Sequence, residues 1–332
     1  MIVIAGTERE GLPAPFVVAS YALVAAIVAS AMPLLAYAGS LALFGLPHVL
    51  TELRYVDGRF GARLRSRSGA VVLAILCLVV VLRALSLART IDPSDGYVAE
   101  LGLVAVLAFI VVPDLASRPA RAALALGVGA TIATGSAVAP WTTVVVFSIL
   151  HNATPVGFLA ERFAGSSRGP IVMRTCAVLF VLVPIAIAIG LGSRALIALG
   201  LYAPDRAFAS VGALASHVKV FVPAEFTESS FAPRLFAASA YLQLLHYGIV
   251  IGVLPRLLGP RGTAGDAPVA PWPKKTALVL AIAAVGVAAT IGFVADFVGT
   301  RAAYSLVASI HAWIELPVLL WALSPRPREA LA

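Results

Sequence analysis

The chain has 332 residues and a formal net charge of +8; 61% of the residues are hydrophobic, 12% are charged, and the mean hydropathy is +0.98. Soluble domains average about 45–50% apolar and about 25% charged residues, so the composition excludes a water-soluble fold and makes the lipid bilayer the expected partner. The Arg and Lys residues lie in short segments between apolar runs. This pattern indicates the positive-inside bias of membrane proteins and no nucleic-acid partner.

Apolar runs along the chain predict an all-α, polytopic membrane helix bundle. A spanning helix needs about 20 mostly apolar residues, and this rule predicts about ten transmembrane helices in a single transmembrane domain over residues 1–332. The predicted helices lie at 15–35, 38–56, 69–88, 98–113, 119–136, 140–160, 172–192, 232–254, 276–298 and 302–323. The first is predicted to be a retained helix, since Glu8, Arg9 and Glu10 precede it and no small-residue cleavage site follows it.

Arginine is concentrated in the loops that follow the even-numbered helices. The end of the second helix and the segment after it hold Arg54, Arg59, Arg63, Arg65 and Arg67, and the segments after the later even-numbered helices hold further Arg or Lys residues. Because such loops stay in the cytoplasm, we predict a multi-pass protein of the inner cell membrane with both termini cytoplasmic. All even-numbered helices then run from the outer side to the cytoplasmic side.

One predicted loop on the non-cytoplasmic side is long, covering residues 193–231. It carries His217, Lys219, Glu225 and Glu228 among apolar residues. An extended, ordered connecting loop is the first interpretation. An amphipathic helix at the membrane interface and a lid over a site are the alternatives.

Four of the five histidines lie deep in apolar runs, on the second, sixth, eighth and tenth helices: His48, His151, His246 and His311. Each follows the outer end of its helix by about 9–14 residues, or about 13–21 Å, which is near the middle of a hydrocarbon core about 30 Å thick. Polar groups at such depth usually face the bundle interior and a partner. The four imidazoles are therefore predicted to meet and to bind a metal.

Two carboxylates follow these histidines at helical spacing. Glu52 comes four residues after His48, and Glu315 comes four residues after His311, so each shares a helix face with its histidine. A metal-bound histidine commonly donates its second ring N–H to a carboxylate. Glu52 and Glu315 are therefore predicted to orient the histidines or to bind the metal themselves, and an ion pair with Arg54 is the alternative for Glu52.

Further polar side chains lie next to the histidines in sequence. These are Asn152, Thr154, Gln243 and Tyr247. Asn152 is predicted to orient a ligand or a bound water, and Tyr247 is a second candidate catalytic residue, with ordinary packing as its alternative. Trp313 is predicted to be a packing residue.

Neutral imidazoles suit iron, zinc, copper and nickel alike, so the ligand type does not identify the metal. No cysteine joins the predicted cluster, which argues against an iron–sulfur or thiolate–copper site. Four imidazoles leave positions open on five- or six-coordinate Fe(2+), which we predict as the cofactor. Zinc, copper and one haem b with two axial histidines are the alternatives.

The segment FGLPHVLTE, which contains His48 and Glu52, resembles the opening motif of the Brp/Blh family of membrane β-carotene dioxygenases. That motif is Gly-x-Pro-His on an early helix, followed by a carboxylate; the family usually has glycine and aspartate where Val49 and Glu52 stand. The resemblance implies a polytopic helical protein that binds one non-haem iron through histidines on separate helices and cleaves carotenoids to retinal. It also implies that the later histidines supply the remaining ligands and that the carboxylates lie beside the iron.

Two functions fit these residues. The first is an integral-membrane oxygenase with non-haem iron that acts on a lipophilic substrate such as a carotenoid. The second is a transporter for a divalent metal ion or a proton-coupled solute, since histidine and glutamate at mid-depth also mark ion paths; no inverted repeat is visible in the sequence to favour it. A purely structural membrane protein is the third alternative.

Overall fold

The computed structural model describes residues 15–258 and 268–322. Over these residues the chain is helical and contains no β-strand, which confirms the predicted all-α class. Ten long helices dominate the fold, and we label them in chain order. Their bounds are α1 Pro15–Ala31, α2 Pro33–Leu64, α3 Arg67–Leu87, α4 Pro93–Ile110, α5 Pro119–Val138, α6 Pro140–Arg162, α7 Gly169–Ala188, α8 Ala232–Gly252, α9 Lys275–Ala295 and α10 Phe297–Ala322.

The helices have the length and surface of membrane spans. In the described part of the chain, nine of them are long and apolar enough to cross a membrane, and α1 is a shorter apolar helix. Large apolar side chains cover their outward faces; Leu280 and Ile291 on α9 are each 65% exposed. A continuous exposed apolar surface of this kind is stable against lipid and not against water. The chain is therefore a multi-pass helical membrane protein.

Proline fixes where many of the helices begin. α1, α2, α4, α5 and α6 each begin at a proline, because the first N–H groups of a helix have no intrahelical acceptor and the missing proline N–H therefore costs nothing there. α2 is longer than the predicted 38–56, since it begins at Pro33 and stays helical to Leu64 beyond the end of its apolar run.

α6 is interrupted next to one of the candidate metal ligands. Its first half is Pro140–His151 and its second half is Thr154–Arg162, in place of the single helix predicted over 140–160. Pro155 has no N–H to donate to the carbonyl of His151, and its ring crowds that carbonyl. Thr154 Oγ1 lies 2.6 Å from the same carbonyl and can supply the hydrogen bond that Pro155 cannot.

The helices that carry the candidate ligands occupy the centre of the bundle. In the most apolar stretch of α8, 78% of the residues are buried inside the protein, against 56% for α2, 50% for α10 and 17% for both α3 and α9. α2 packs against α8 and α9, and α10 packs against α2 and α3. Three of the four candidate histidines therefore lie on the three most enclosed helices, where lipid does not reach them.

The segment predicted as a long loop, residues 193–231, contains the end of a short helix and several short turns. The helix is Leu191–Ala198, and single turns of 3-10 helix follow it. The segment packs over the N-terminal ends of α2 and α10, where the buried ring of His217 lies 5.9 Å from that of Tyr37 and 5.4 Å from that of Phe297. His217 is thus held in an aromatic cluster, apart from the other four histidines.

The turn before α9 is tied to α2 by one carboxylate. Asp57 is buried and accepts hydrogen bonds from the backbone N–H groups of Val269 (2.6 Å) and Ala270 (3.0 Å) and from Trp272 Nε1 (2.7 Å). Hydrogen bonds to a charged group are stronger than neutral ones. This contact therefore fixes α9 beside α2.

Candidate metal centre

Four histidines from four helices meet at one place in the bundle. One ring nitrogen of each lies within 4.8 Å of the other three: His48 on α2, His151 on α6, His246 on α8 and His311 on α10. This convergence, which the sequence predicted from the depth of each histidine in its apolar run, is confirmed.

The four imidazole rings form a closed cycle. Ring centroids are 4.7 Å apart for His48 and His311, 4.9 Å for His311 and His151, 4.7 Å for His151 and His246, and 5.3 Å for His246 and His48. Each ring therefore contacts two others, and the four ligand nitrogens share one small space inside the protein.

One contact in this cycle has the spacing of two ligands on one ion. His48 Nε2 lies 3.0 Å from His311 Nε2. Imidazole nitrogens bind metals at about 2.0–2.1 Å, so two of them at right or tetrahedral angles are about 2.8–3.4 Å apart. A single N–H···N hydrogen bond also fits this distance, but it would occupy only two of the eight ring nitrogens in the cycle.

Hydrogen bonds fix which nitrogen two of the histidines present to the centre. His48 Nδ1 is 3.1 Å from the carbonyl oxygen of Phe44, one turn earlier on α2, and His151 Nδ1 contacts a carboxylate oxygen of Glu315. A carbonyl or carboxylate oxygen can only accept, so both Nδ1 atoms carry the proton. The lone pair of each ring is then on Nε2, which is the arrangement that metal-binding histidines use.

Several polar atoms of the cluster are buried without a hydrogen-bond partner among the described residues. They are both ring nitrogens of His246, Nδ1 of His311 and both carboxylate oxygens of Glu52. Leaving such a group unsatisfied costs about 1–3 kcal/mol, and more for a charged one. A bound cation would give several of these lone pairs a partner at once, so the residues present fit a metal ion.

The two carboxylates reach histidines on neighbouring helices. Glu315 contacts His151 on α6, and Glu52 Oε2 lies 3.4 Å from His246 Nε2 on α8. The i, i+4 spacing places each acid one turn along the axis from the histidine of its own helix. The side chains that face each acid from neighbouring helices are therefore closer to hydrogen-bond distance than that histidine is.

Thr154 supports Glu315 at the break in α6. Its Oγ1 lies 2.6 Å from Oε1 of Glu315 as well as 2.6 Å from the carbonyl of His151. A hydroxyl has one hydrogen, so it donates to one of these oxygens at a time. The break, Thr154 and Glu315 together set the orientation of the His151 ring.

The other two candidate residues have different surroundings. Tyr247 stacks on the ring of His48, with centroids 3.9 Å apart and an interplanar angle of 27°, so it restricts how that imidazole can turn. Asn152 is buried at the end of the first half of α6, and its Nδ2 donates to the carbonyl of Ser148 at 3.0 Å. Asn152 therefore caps the helix that presents His151.

A buried ionic network on the side of α10 opposite the histidine cycle was missed in the sequence. Glu100 on α4 accepts from Arg83 Nε on α3 at 3.1 Å and from Trp313 Nε1 on α10 at 2.7 Å. Arg83 Nη1 also donates to the carbonyl of Ser305 on α10 at 3.2 Å. Trp313 is buried, as its predicted packing role requires, but its indole N–H also belongs to this network. In the sequence, this network is indicated by a single ionisable residue in each of two apolar runs.

Access to the centre is asymmetric. The His151 side chain is 17% exposed, whereas His48, His246 and His311 are at most 2% exposed. His151 lies at the break in α6, beside lipid-facing Leu150, which is 54% exposed. The histidine cycle therefore comes nearest to the surface of the protein on its α6 side.

The charges of the cluster suit a divalent cation. Four neutral imidazoles carry no charge, and two carboxylates can offset the +2 charge of one ion in a site that water does not reach. The fold and the site thus define a multi-pass membrane protein with a histidine–glutamate cluster buried between its helices. No family model, curated protein or solved structure matches this chain.

Glu315→Gln is expected to weaken metal binding about 10–100-fold, the usual effect of losing the residue that orients a histidine ligand. Glutamine keeps the shape of the side chain but loses the charge that holds the proton on His151 Nδ1. Competition between the purified protein and a chromophoric chelator for Co2+ measures the affinity. Glu161→Gln is the matched control, because Glu161 pairs with Arg59 away from the cluster; equal affinities for the two variants would contradict the prediction.

Proposed function

We propose that this protein is a metal-dependent membrane oxygenase that uses non-haem iron held by His48, His151, His246 and His311 and acts on a lipophilic substrate. The observation that carries the proposal is the cycle of four imidazoles from four helices with their ligand nitrogens within 4.8 Å. Four neutral nitrogen ligands suit Fe(2+) and leave coordination positions open. Iron bound there would supply the one-electron chemistry that reactions with O2 require.

The protein's own residues would bind the ion, orient its histidine ligands and shield the site from bulk water. Glu315 and Phe44 hold the protons on the Nδ1 atoms of His151 and His48, which keeps both Nε2 lone pairs free for the ion. Tyr247 fixes the plane of His48 by stacking. Burial of the cluster excludes bulk water from the reaction, which prevents competing hydrolysis and strengthens every charge interaction within it.

A lipophilic substrate class is supported by the place where the site comes nearest to the surface. His151 is the most exposed histidine of the cycle and lies beside exposed Leu150 on α6, which suits a substrate that approaches from the bilayer. Ligand sites are mostly apolar with a few placed polar groups, and the apolar helices around the cluster meet this condition. The resemblance of FGLPHVLTE to the Brp/Blh motif makes a long polyene such as β-carotene the first substrate to test.

The test uses the full chain in lipid nanodiscs, loaded with Fe2+ under argon and then exposed to labelled 18O2 and β-carotene. The expected result is O2 uptake that depends on both iron and substrate, with 18O in cleaved aldehyde products detected by mass spectrometry. His217→Gln is the matched control, since this fifth histidine is buried outside the cluster, and it should retain activity.

A proteoliposome flux assay with the same preparation tests the transporter alternative. Movement of Fe2+ or Zn2+ across the bilayer, with no oxidation of any polyene or other lipophilic substrate, would replace the oxygenase proposal by a transport function.

A further inference from the structure

We propose that the centre holds two divalent metal ions side by side, the second bound by Glu52, Glu315 and His246. This inference deepens the proposed function and rests on the first ion being bound. One carboxylate oxygen of each glutamate and one ring nitrogen of His246 lie within 4.8 Å of one another, and all three residues are buried. Imidazole and carboxylate together are ligands for iron, manganese and zinc.

Glu52 is the residue that a single ion among the four histidines leaves unexplained. Its side chain is 0% exposed, and neither carboxylate oxygen makes a hydrogen bond of good geometry in residues 15–258 and 268–322. Its polar neighbours include the carboxylate of Glu315 and His246 Nε2, which lies 3.4 Å from Glu52 Oε2. Two buried carboxylates that face each other repel when both are charged, and an ion bound between them and His246 removes that cost.

Helical spacing separates the ligands into two layers. Glu52 and Glu315 each come one turn after the histidine of the same helix, at a Cβ separation of about 5–6 Å. An acid four residues after a histidine can reach the ion of that histidine or a second ion beside it, and two-metal sites hold their ions about 3.5–4 Å apart. Glu52, Glu315 and His246 form a ligand group of their own, which favours the second ion.

The donor atoms divide between two ions without conflict. His246 belongs to both groups, but a neutral imidazole has one lone pair and serves one ion. When both ions are bound, the first keeps His48, His151 and His311 of its four proposed ligands, and the second takes Glu52, Glu315 and His246. The two carboxylates offset the charge of one of the two ions, and the open coordination positions leave room for an anionic ligand such as hydroxide to offset the other.

Glu315 connects the two sets. Its Oε2 contacts His151 Nδ1, and its Oε1 lies 2.6 Å from Thr154 Oγ1. Each carboxylate oxygen has a further lone pair available for an ion. The same side chain can therefore orient a ligand of the first ion while it binds the second.

Iron stoichiometry tests the proposal. The detergent-purified full chain is saturated with Fe2+ under argon, freed of excess metal by gel filtration, and analysed for iron and protein. The wild type should hold about two ions per chain, as in other two-metal sites, and Glu52→Gln should hold one. Glu161→Gln is the matched control, because Glu161 pairs with Arg59 away from the cluster, and it should hold two.

Electron paramagnetic resonance of the Mn2+-loaded wild type gives a second measurement that needs no variant. Two ions this close are exchange-coupled, so the expected spectrum is that of a coupled pair, whereas one ion gives the six-line spectrum of isolated Mn2+. One ion per chain, an uncoupled spectrum, or two ions retained in Glu52→Gln would overturn the second site and leave the oxygenase proposal standing. No bound metal in the wild type would overturn both.

Discussion

Replacing His246 with alanine is expected to lower metal affinity more than about 100-fold, beyond the usual effect of losing a residue that only orients a ligand. His246 is the histidine that belongs to both groups of candidate ligands, so its loss weakens either arrangement. In the metal-free protein the substitution removes the 3.4 Å contact between His246 Nε2 and Glu52 Oε2. The loss of metal binding is therefore measured as the difference between unfolding with metal and unfolding without it.

Thermal unfolding with and without metal measures this loss. A free metal concentration of 100 times the dissociation constant stabilises the wild type by about 2.7 kcal/mol, and a 100-fold weaker site at the same concentration gains only about 0.4 kcal/mol. His246→Ala should thus lose nearly all of the metal-dependent rise in unfolding temperature. His217→Gln should keep it, since the glutamine amide can still donate to the carbonyl of Val211, which His217 Nε2 meets at 2.7 Å. A full metal-dependent shift in His246→Ala would refute the assignment of His246 as a ligand.

The depth of the cluster could be predicted because depth is a one-dimensional property of a membrane helix. Residues rise about 1.5 Å each along the axis, and the bilayer fixes where each helix starts. Counting from the ends of the apolar runs therefore placed His48, His151, His246 and His311 at one level, and the structure brings their ligand nitrogens within 4.8 Å.

The pairing of acids with histidines could not be predicted, because it depends on how each helix is rotated about its axis. The sequence shows that Glu315 shares a face with His311, but not which helix faces them. The contact of Glu315 with His151 also depends on the break in α6 at Asn152 and Ala153. Pro155 signalled that break, yet proline is common inside membrane helices that continue.

Pairs of ionisable residues on different helices are hidden for the same reason. Arg83 and Glu100 each stand alone in an apolar run, and only the packing of α3 against α4 joins them. Trp313 is two residues from His311, about 200° around the helix. It therefore faces Glu100 on the side of α10 opposite the histidine cycle.

Arg83→Met is expected to destabilise the fold by about 3–5 kcal/mol, the usual cost of leaving one charge of a buried pair without its partner. Glu100 is only 3% exposed and would keep a single hydrogen bond, from Trp313. Unfolding in mixed micelles of SDS and a mild detergent measures the loss. Adding Glu100→Gln to Arg83→Met should restore most of the stability, because it removes the uncompensated charge.

Arg59→Met is the matched control, because it breaks an ion pair that is less deeply buried. Arg59 pairs with Glu161 in the same way, but the Glu161 side chain is 16% exposed, against 4% for Glu100. Water can solvate Glu161 when it loses its partner, so we expect a smaller loss of stability for Arg59→Met than for Arg83→Met. The two variants should also differ in metal binding. Arg83 and Glu100 together hold α10 through Ser305 and Trp313, and α10 carries two of the candidate ligands. Loosening α10 should weaken metal binding in Arg83→Met and not in Arg59→Met; equal stability and equal affinity in the two variants would show that the network does not position the centre.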